Sequence, residues 1–194
     1  MSYLDLSSND LHGSISPLID NMISLEVLKL SGNSHLEAPM LMTLGNLCKL
    51  KILGLSNVKI TQKLNEFGGT FSGCIRNSLQ NLNLQNTSLA GQLPTEIGNL
   101  RNLRFLNLGD NNLSGSIPKS FSQLLNLASL SLESNNLDSV LDEAFFTNLE
   151  HLNCRGGMKS KSIECIDYFS QNKGRGIWIS VVASIIFLIY MKEI

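Results

Sequence analysis

The side chains that could carry catalysis are few and far apart in this sequence. The three histidines are His12, His35 and His151, and each falls in a different segment of a repeated pattern. Neither HExxH nor GxSxG occurs, and the Gly-Arg-Gly run at 174–176 lacks the third glycine and preceding strand of a phosphate-binding loop. We therefore expect no enzyme activity, no bound metal and no cofactor.

Cysteine chemistry points to one predicted pair. Cys48 follows Leu28 at nearly the same sequence distance as Cys74 follows Leu53, so the two cysteines occupy nearly equivalent positions in adjacent segments. Stacked segments about 5 Å apart are within the range that a disulfide accepts. We predict a Cys48–Cys74 disulfide in an oxidising compartment. A Cα separation above about 7 Å would exclude it.

Two acceptor tripeptides for N-glycosylation begin at Asn86 and Asn112. Such tripeptides are common by chance, and they become relevant only if the chain enters the secretory pathway. On that condition, both asparagines are predicted glycosylation sites.

The elements that must position these residues repeat along the chain. Short strands are expected around leucines that recur at a nearly fixed period of about 24 residues, a length typical of repeat proteins. These leucines are Leu4, Leu28, Leu53, Leu82, Leu106, Leu130 and Leu152, and the interval from Leu53 to Leu82 is the longest. Such a period predicts a solenoid in which each unit closes the open ends of its neighbours.

One unit, residues 103–126, shows how each coil is built. Leu106 and Leu108 alternate with polar or variable residues, which predicts a strand with one apolar face. A turn follows at Asn111, and later apolar residues at three-residue steps suit a short helical or 3₁₀ return. The predicted fold is an α/β repeat solenoid with a parallel sheet on its concave face and short helical segments on its convex side.

Asparagines recur at the turn after four of the predicted strands, and we assign them to folding. Each side-chain amide can bind backbone groups of its own coil and of the neighbouring coil. The residues are Asn9, Asn33, Asn111 and Asn135. Val58 and Thr87 occupy the equivalent positions of coils three and four, so the stack of amides is expected to be interrupted there.

Outward strand residues form columns on the concave face, where a partner could bind. A parallel sheet with an apolar back and a mixed front must be covered or offered to another molecule, and we favour a protein or peptide ligand. Large apolar side chains in these columns are candidate anchors. The predicted contact residues are Tyr3, Lys29, Ile52, Asn81, Asn83, Phe105, Asn107, Ser129 and Ser131. A net charge of −1 without a basic stripe gives no reason to expect a nucleic-acid partner.

Two pairs of segments carry a family resemblance. LNLGDNNLSGSIPKSF and LQNTSLAGQLPTEIGNLRNL resemble the plant-specific leucine-rich repeat, and NLCKLKILGLSN with FSGCIRNSLQNLNLQN resembles ectodomain repeats of plant receptor-like proteins. The resemblance implies cell-surface recognition in signalling or defence, a location at the plasma membrane and a membrane span near the C-terminus. No kinase follows the last apolar run, so signalling would require a partner such as a co-receptor kinase.

The predicted organisation has four parts. Residues 1–153 form six coils and a partial seventh, 154–176 a polar linker or degenerate cap, 177–191 a membrane helix and 192–194 a tail. As a helix, the uncharged run 177–191 would span about 22 Å against a hydrocarbon core of roughly 30 Å. Trp178 and Tyr190 near its ends suit membrane interfaces. A buried apolar segment, or a terminus without evolved structure, is the alternative.

Three other readings of the whole chain stay open. The first is a secreted inhibitor resembling plant inhibitors of pectin-degrading enzymes, and the second is a cytosolic scaffold. The third is a gene fragment without function. No basic region followed by an apolar run occurs at the start of the chain, so we expect no signal peptide in this sequence.

Overall fold

A computed structural model describes residues 1–38, 42–138 and 164–166. Its backbone winds into stacked coils, here numbered one to six, beginning at residues 3, 27, 52, 81, 105 and 129. The strands in this part of the chain are β1 (Tyr3–Asp5), β2 (Gly13–Ser14), β3 (Val27–Lys29), β4 (Leu36–Glu37), β5 (Ile52–Gly54), β6 (Asn81–Asn83), β7 (Ala90–Gln92), β8 (Phe105–Asn107), β9 (Asn112–Gly115), β10 (Ser129–Ser131), β11 (Asn136–Leu137) and β12 (Glu164–Ile166).

The first strand of every coil joins one seven-stranded sheet in the order β1-β3-β5-β6-β8-β10-β12. Strands β1 to β10 of this sheet are parallel and pair in register through their central leucines. Those paired leucines are Leu4, Leu28, Leu53, Leu82, Leu106 and Leu130. The repeat period therefore predicted the neighbours and the register of six consecutive strands.

A second line of strands runs beside the first and is broken in the middle. Strands β2 and β4 pair in parallel at one end, and β7, β9 and β11 pair in parallel at the other. Between them coil three contributes only single bridges, from Lys59 to Glu37 and from Lys63 to Ala90. Coil three thus divides this second sheet into two parts.

The convex returns are mostly short 3₁₀ segments. They are Pro17–Asn21, Met42–Asn46, Leu64–Phe67, Cys74–Asn77, Thr95–Asn99 and Lys119–Gln123. The longer coil three also holds α1 (Gly68–Ser72), and its aromatic residues Phe67 and Phe71 are buried in the core. The extra residues of this coil therefore add apolar area to the interior.

The core is a continuous column of leucines between the sheet and the convex returns. Leu82, Leu106 and Leu130 are at most 1% exposed, and the polar residues that alternate with them face away from the core. Burying each such leucine stabilises the fold by about 1.5 to 3 kcal/mol. The alternation in each strand thus produces a sheet with one buried and one outer face.

The strand that follows β10 in the sheet comes from the C-terminal region. β12 pairs with β10 in the antiparallel direction and lies within the stretch 154–176, which the sequence assigned to a linker or cap. The seventh strand predicted around Leu152 lies outside the described residues. So do the predicted membrane helix at 177–191 and the tail at 192–194.

Candidate functional site

Turn asparagines form a ladder that fixes the spacing of the coils and thus the shape of the sheet. The Nδ2 of Asn111 donates to the carbonyls of Leu84 in coil four and Leu108 in its own coil, at 2.8 and 3.0 Å. Its Oδ1 accepts the N–H of Leu89 at 3.0 Å. The same cross-coil contacts recur at Asn33 and Asn135. These side chains satisfy backbone groups that neither sheet uses.

The ladder changes where the sequence departs from asparagine. Val58 is buried and has no polar side-chain atom, while the Thr87 hydroxyl donates to the Leu84 carbonyl of its own coil at 2.8 Å. Asn9 donates only within coil one, to Leu6 and Ser7. Coils three and four therefore lack the side-chain amide bridge to the preceding coil that Asn33, Asn111 and Asn135 provide.

A covalent bond joins coils two and three instead. Cys48 and Cys74 form a disulfide with a Cα separation of 4.8 Å, below the limit that would have excluded the pairing. The backbones approach closely beside it, because a Cβ at Gly73 would overlap the carbonyl oxygen of Gly45. Glycine at position 73 thus allows the two coils to meet at the disulfide.

The outer face of the seven-stranded sheet, here called the concave face, carries two columns of side chains in register. The first column is Tyr3, Val27, Ile52, Asn81, Phe105 and Ser129, and the second is Asp5, Lys29, Gly54, Asn83, Asn107 and Ser131. Tyr3 is 55% exposed, and Ile52 and Phe105 are half-buried. The side chains predicted as contacts therefore lie together on one surface, with one exception.

Ser131 is that exception, and the prediction that its side chain is available for contact has to be corrected. Its side chain is only 7% exposed, so it does not offer a contact to a partner as expected from the strand pattern. The physical reason is local, since the short Ser131 side chain leans into the space that Gly109 leaves open, with its Oγ 3.0 Å from the position of a Cβ at Gly109 and the Glu133 carboxylate beside it. A glycine in the neighbouring coil thus lets a side chain that the alternating pattern marks as outward fold against the sheet.

An amide network that sequence reasoning missed lies on the concave face of coils four and five. Asn107 donates through Nδ2 to Oε1 of Gln85 at 3.1 Å, and Gln85 donates through Nε2 to Oδ2 of Asp110 at 2.8 Å. The signal was present, because Gln85 continues the alternation of Asn81 and Asn83 beyond the end of β6. Its donors and acceptors suit the backbone groups of an extended peptide.

The other end of the concave face is charged. Lys29 Nζ lies 3.4 Å from Oδ2 of Asp5 and 5.9 Å from the centre of the Tyr3 ring, whose hydroxyl donates to Asp5 at 3.1 Å. The pKa of Lys29 is raised by Tyr3 first and then by Asp5. The pair offers one anchored cation and one aromatic ring to a ligand.

Asp5 is the most strongly perturbed carboxyl of this cluster. The Ser7 hydroxyl, followed by the Ser7 N–H, lowers the pKa of Asp5 to about 2. The N–H donates to Oδ1 at 3.1 Å, whereas the hydroxyl makes no hydrogen bond of good geometry, so the amide is the firmer contact. Asp5 therefore remains ionised at any pH at which the protein would meet a ligand.

The second sheet carries a separate polar groove of about 490 Å³. Its walls include the amides of Asn65, Gln92, Asn112 and Asn136, together with Lys63. Asn112 is exposed on β9, so a glycan at this predicted acceptor would cover the groove. The other acceptor, Asn86, is also exposed and donates through Nδ2 to Oδ1 of Asn57 at 2.7 Å.

No helix among the described residues is both long and apolar enough to cross a bilayer.

Comparison with known proteins identifies the repeat. The family model described as Leucine Rich Repeat matches residues 1–22, 78–100 and 102–124. The fold is the leucine-rich repeat solenoid. No protein of curated function matches this leucine-rich repeat chain in sequence.

Solved structures similar to this leucine-rich repeat chain come from plant receptors. The Arabidopsis receptor kinase HAESA, solved with the peptide hormone IDA and the co-receptor SERK1, is 28% identical over 70% of this chain, with a TM-score of 0.62. Pollen Receptor Kinase 3 is 26% identical over 71% of this chain, with a TM-score of 0.63. The BIR2 ectodomain from Arabidopsis thaliana is 28% identical over 70%, with a TM-score of 0.57.

The share of these receptors that the chain represents differs widely. It spans 22% of the HAESA chain, 64% of the Pollen Receptor Kinase 3 chain and 68% of the BIR2 chain. The repeat-based resemblance to plant leucine-rich repeat receptors is confirmed at the level of fold and repeat.

Proposed function

We propose that this chain is a non-enzymatic recognition module of a plant cell-surface receptor-like protein, acting in signalling or defence. Its ligand is an extended peptide or protein segment bound on the concave face. The carrying observation is that one parallel sheet presents Tyr3, Ile52 and Phe105 beside a polar amide network. Aromatic and large apolar anchors surrounded by polar groups are typical of protein-binding surfaces.

The similar receptors support the kind of partner. HAESA was solved with a peptide hormone and a co-receptor bound, so a solenoid of this fold can hold both kinds of molecule. By analogy, the concave face of this chain takes a peptide, and a co-receptor kinase supplies the enzymatic activity. The amides of Gln85 and Asn107 would pair with peptide backbone while Phe105 receives an apolar side chain.

A display experiment tests the binding surface directly. The full chain is panned against a phage-displayed library of random peptides, and enriched peptides are synthesised for affinity measurement. Phe105→Ala and Ile52→Ala should each weaken binding at least about ten-fold if these side chains are anchors. Leu125→Ala is the matched control, because Leu125 is 59% exposed on the convex side and loses similar apolar area.

The outcomes separate the concave face from other surfaces. Peptides that bind both concave variants as tightly as the parent chain would contradict the proposal. Binding lost only in Leu125→Ala would move the site to the convex side.

We also propose that residues 177–191 attach the chain to the plasma membrane. The support is the uncharged run itself, flanked by Arg175 and Lys192. After expression in plant cells, the chain should resist carbonate extraction, while a chain lacking 177–191 should be extracted. Glycosidase sensitivity that disappears in Asn86→Gln/Asn112→Gln would show passage through the secretory pathway, and an extractable, unglycosylated parent chain would contradict this assignment.

A further inference from the structure

Two histidines that the sequence places in different coils are neighbours in the structure. Strand β2 pairs with β4 so that Gly13 lies opposite Leu36, and the residues just before them are His12 and His35. Their rings stack with centroids 4.9 Å apart and planes 14° from parallel. The register of the second sheet thus holds two imidazoles side by side.

A carboxylate completes this cluster. One ligand atom each from Asp10, His12 and His35 lies within 4.8 Å of the other two, and all three residues are exposed. The Asp10 carboxylate is 82% exposed and approaches His12 no closer than 3.9 Å, so it is free to rotate. Ligands on one ion, each about 2.0 to 2.2 Å from it, lie roughly 3 to 4 Å apart. Because an imidazole lone pair lies in the plane of its ring, the nearly parallel rings would have to tilt toward each other as the exposed side chains close on the ion.

A hydrogen bond already orients one of the imidazoles. Nδ1 of His12 lies 2.7 Å from the carbonyl oxygen of Asp10. Because a carbonyl can only accept, the bond places the proton on Nδ1 and leaves the lone pair of the neutral ring on Nε2. Metal-binding histidines are commonly held by such a bond from the other ring nitrogen to a carbonyl. Nε2 is therefore the His12 atom that is left to bind an ion, and the Asp10 carboxylate, which now lies 3.9 Å from Nδ1, would have to swing toward it.

The ligand set selects the class of ion. Two imidazoles and one carboxylate suit zinc and other first-row transition metals, whereas calcium and magnesium prefer oxygen ligands alone. We propose that Asp10, His12 and His35 bind a divalent transition-metal ion, with zinc as the first candidate, and that the ion ties coil one to coil two. Water completes the coordination, because the three residues are exposed.

The site links coil one to coil two, and the core of coil one is incompletely buried, so a cross-link there should stabilise the fold. Leu4 and Leu11 of coil one are only half-buried against coil two, and Leu6 is 39% exposed. An ion that binds both coils in the folded state and neither in the unfolded state shifts the equilibrium toward the folded coil. Zinc should therefore slow the local opening of coil one.

The binding test uses the full chain without a histidine tag. Zinc affinity is measured by competition with a chromogenic chelator in the parent chain, His12→Gln, His35→Gln and Asp10→Asn. We expect at least about a ten-fold loss of affinity in each histidine variant and a smaller loss in Asp10→Asn. Matched controls are His151→Gln and the double variant Cys154→Ser/Cys165→Ser, which remove other potential zinc ligands and should leave the affinity unchanged.

A second measurement distinguishes metal binding from simple ring stacking. Hydrogen exchange of residues 1–26 should slow on adding zinc to the parent chain, should not respond to magnesium, and should lose the zinc response in His12→Gln. Unchanged zinc affinity in both histidine variants would overturn the proposal. An affinity that falls only in the cysteine variant, or exchange in coil one that ignores zinc, would overturn it as well.

Discussion

Coils one and five carry nearly the same motif but differ in how well they are buried. In coil five, Leu106 and Leu108 are completely buried between coils four and six. In coil one, Leu6 is 39% exposed and Leu4 is half-buried, because only coil two lies against it among the described residues. Equivalent leucines therefore contribute different amounts of stability in the two coils. The difference comes from how many neighbouring coils bury them and not from the repeat motif itself.

The largest expected effect comes from truncating a core leucine, and we compare one such truncation in coil five with one in coil one. Leu106→Ala should destabilise the chain by about 3 kcal/mol or more, since it removes a fully buried side chain and leaves a cavity. Leu4→Ala should cost less, about 1 to 2 kcal/mol, because Leu4 is only partly buried and its removal leaves a cavity open to water. Urea unfolding monitored by circular dichroism measures both. Equal losses would show that coil one is packed as tightly as coil five.

Removing the disulfide should have the next largest effect on stability. The loss of stability should be confined to coils two and three. Replacing both Cys48 and Cys74 by serine should lower stability by about 3 kcal/mol through the greater entropy of the unfolded chain. Hydrogen exchange should accelerate in coils two and three and remain nearly unchanged in coil five. A uniform acceleration across all coils would mean that the solenoid unfolds as one unit.

Replacing turn asparagines should lower stability by less, and Asn111 and Asn9 form a matched pair for this test. Asn111→Ala leaves buried backbone groups of two coils without partners and should cost about 2 to 3 kcal/mol. Asn9→Ala removes bonds within coil one only and should cost less than about 1 kcal/mol. Thermal unfolding of the two variants beside the parent chain measures the difference. A loss at Asn9 that equals the loss at Asn111 would contradict the role of cross-coil bonds.

The smallest effect concerns Asp5 and acid pH. Its folded-state pKa of about 2 lies below the ordinary value of 3.8, so its contribution to stability is present above pH 3.8 and is lost as pH falls toward 2. Carbon-detected NMR titration of the Asp5 carboxyl should give a midpoint near pH 2. Ser7→Ala keeps the amide donor and tests the hydroxyl alone, and a parent midpoint near the ordinary value would refute the environment described for Asp5.

The features that could be predicted from the sequence are those fixed by the main period. Leu28, Leu53 and Leu82 pair in register because one buried side chain per strand recurs at nearly constant spacing. The pairing of the second sheet was not predictable in this way. The step from Leu4 to Gly13 is one position longer than the step from Leu28 to the partner Leu36, so an alignment on the first sheet misplaces His35.

Other differences arise from contacts between distant parts of the chain. Ser131 follows the outward pattern of its strand, yet it is buried beside Gly109 of the preceding coil and the Glu133 carboxylate. The network of Asn107, Gln85 and Asp110 depends on the αL turn at Asp110, where φ is +54°, and strand alternation alone does not show such a turn. The leucine period and the strand alternation therefore predict the solenoid. Contacts on its surfaces depend on individual turns and on one-position shifts between coils.

The missing amide bridge at Val58 has a mechanical consequence. Coil three lacks both the ladder contact to coil two and a regular strand in the second sheet, yet the Cys48–Cys74 bond crosses the same junction. The bond therefore adds a covalent link to a junction that already has the in-register pairing of β3 with β5 and the hydrogen bond from the Ser56 N–H to Ser31 Oγ. Reduction would remove that link and leave the two coils held by backbone hydrogen bonds and the shared leucine core, so the redox state of the surroundings sets how many kinds of bond join them.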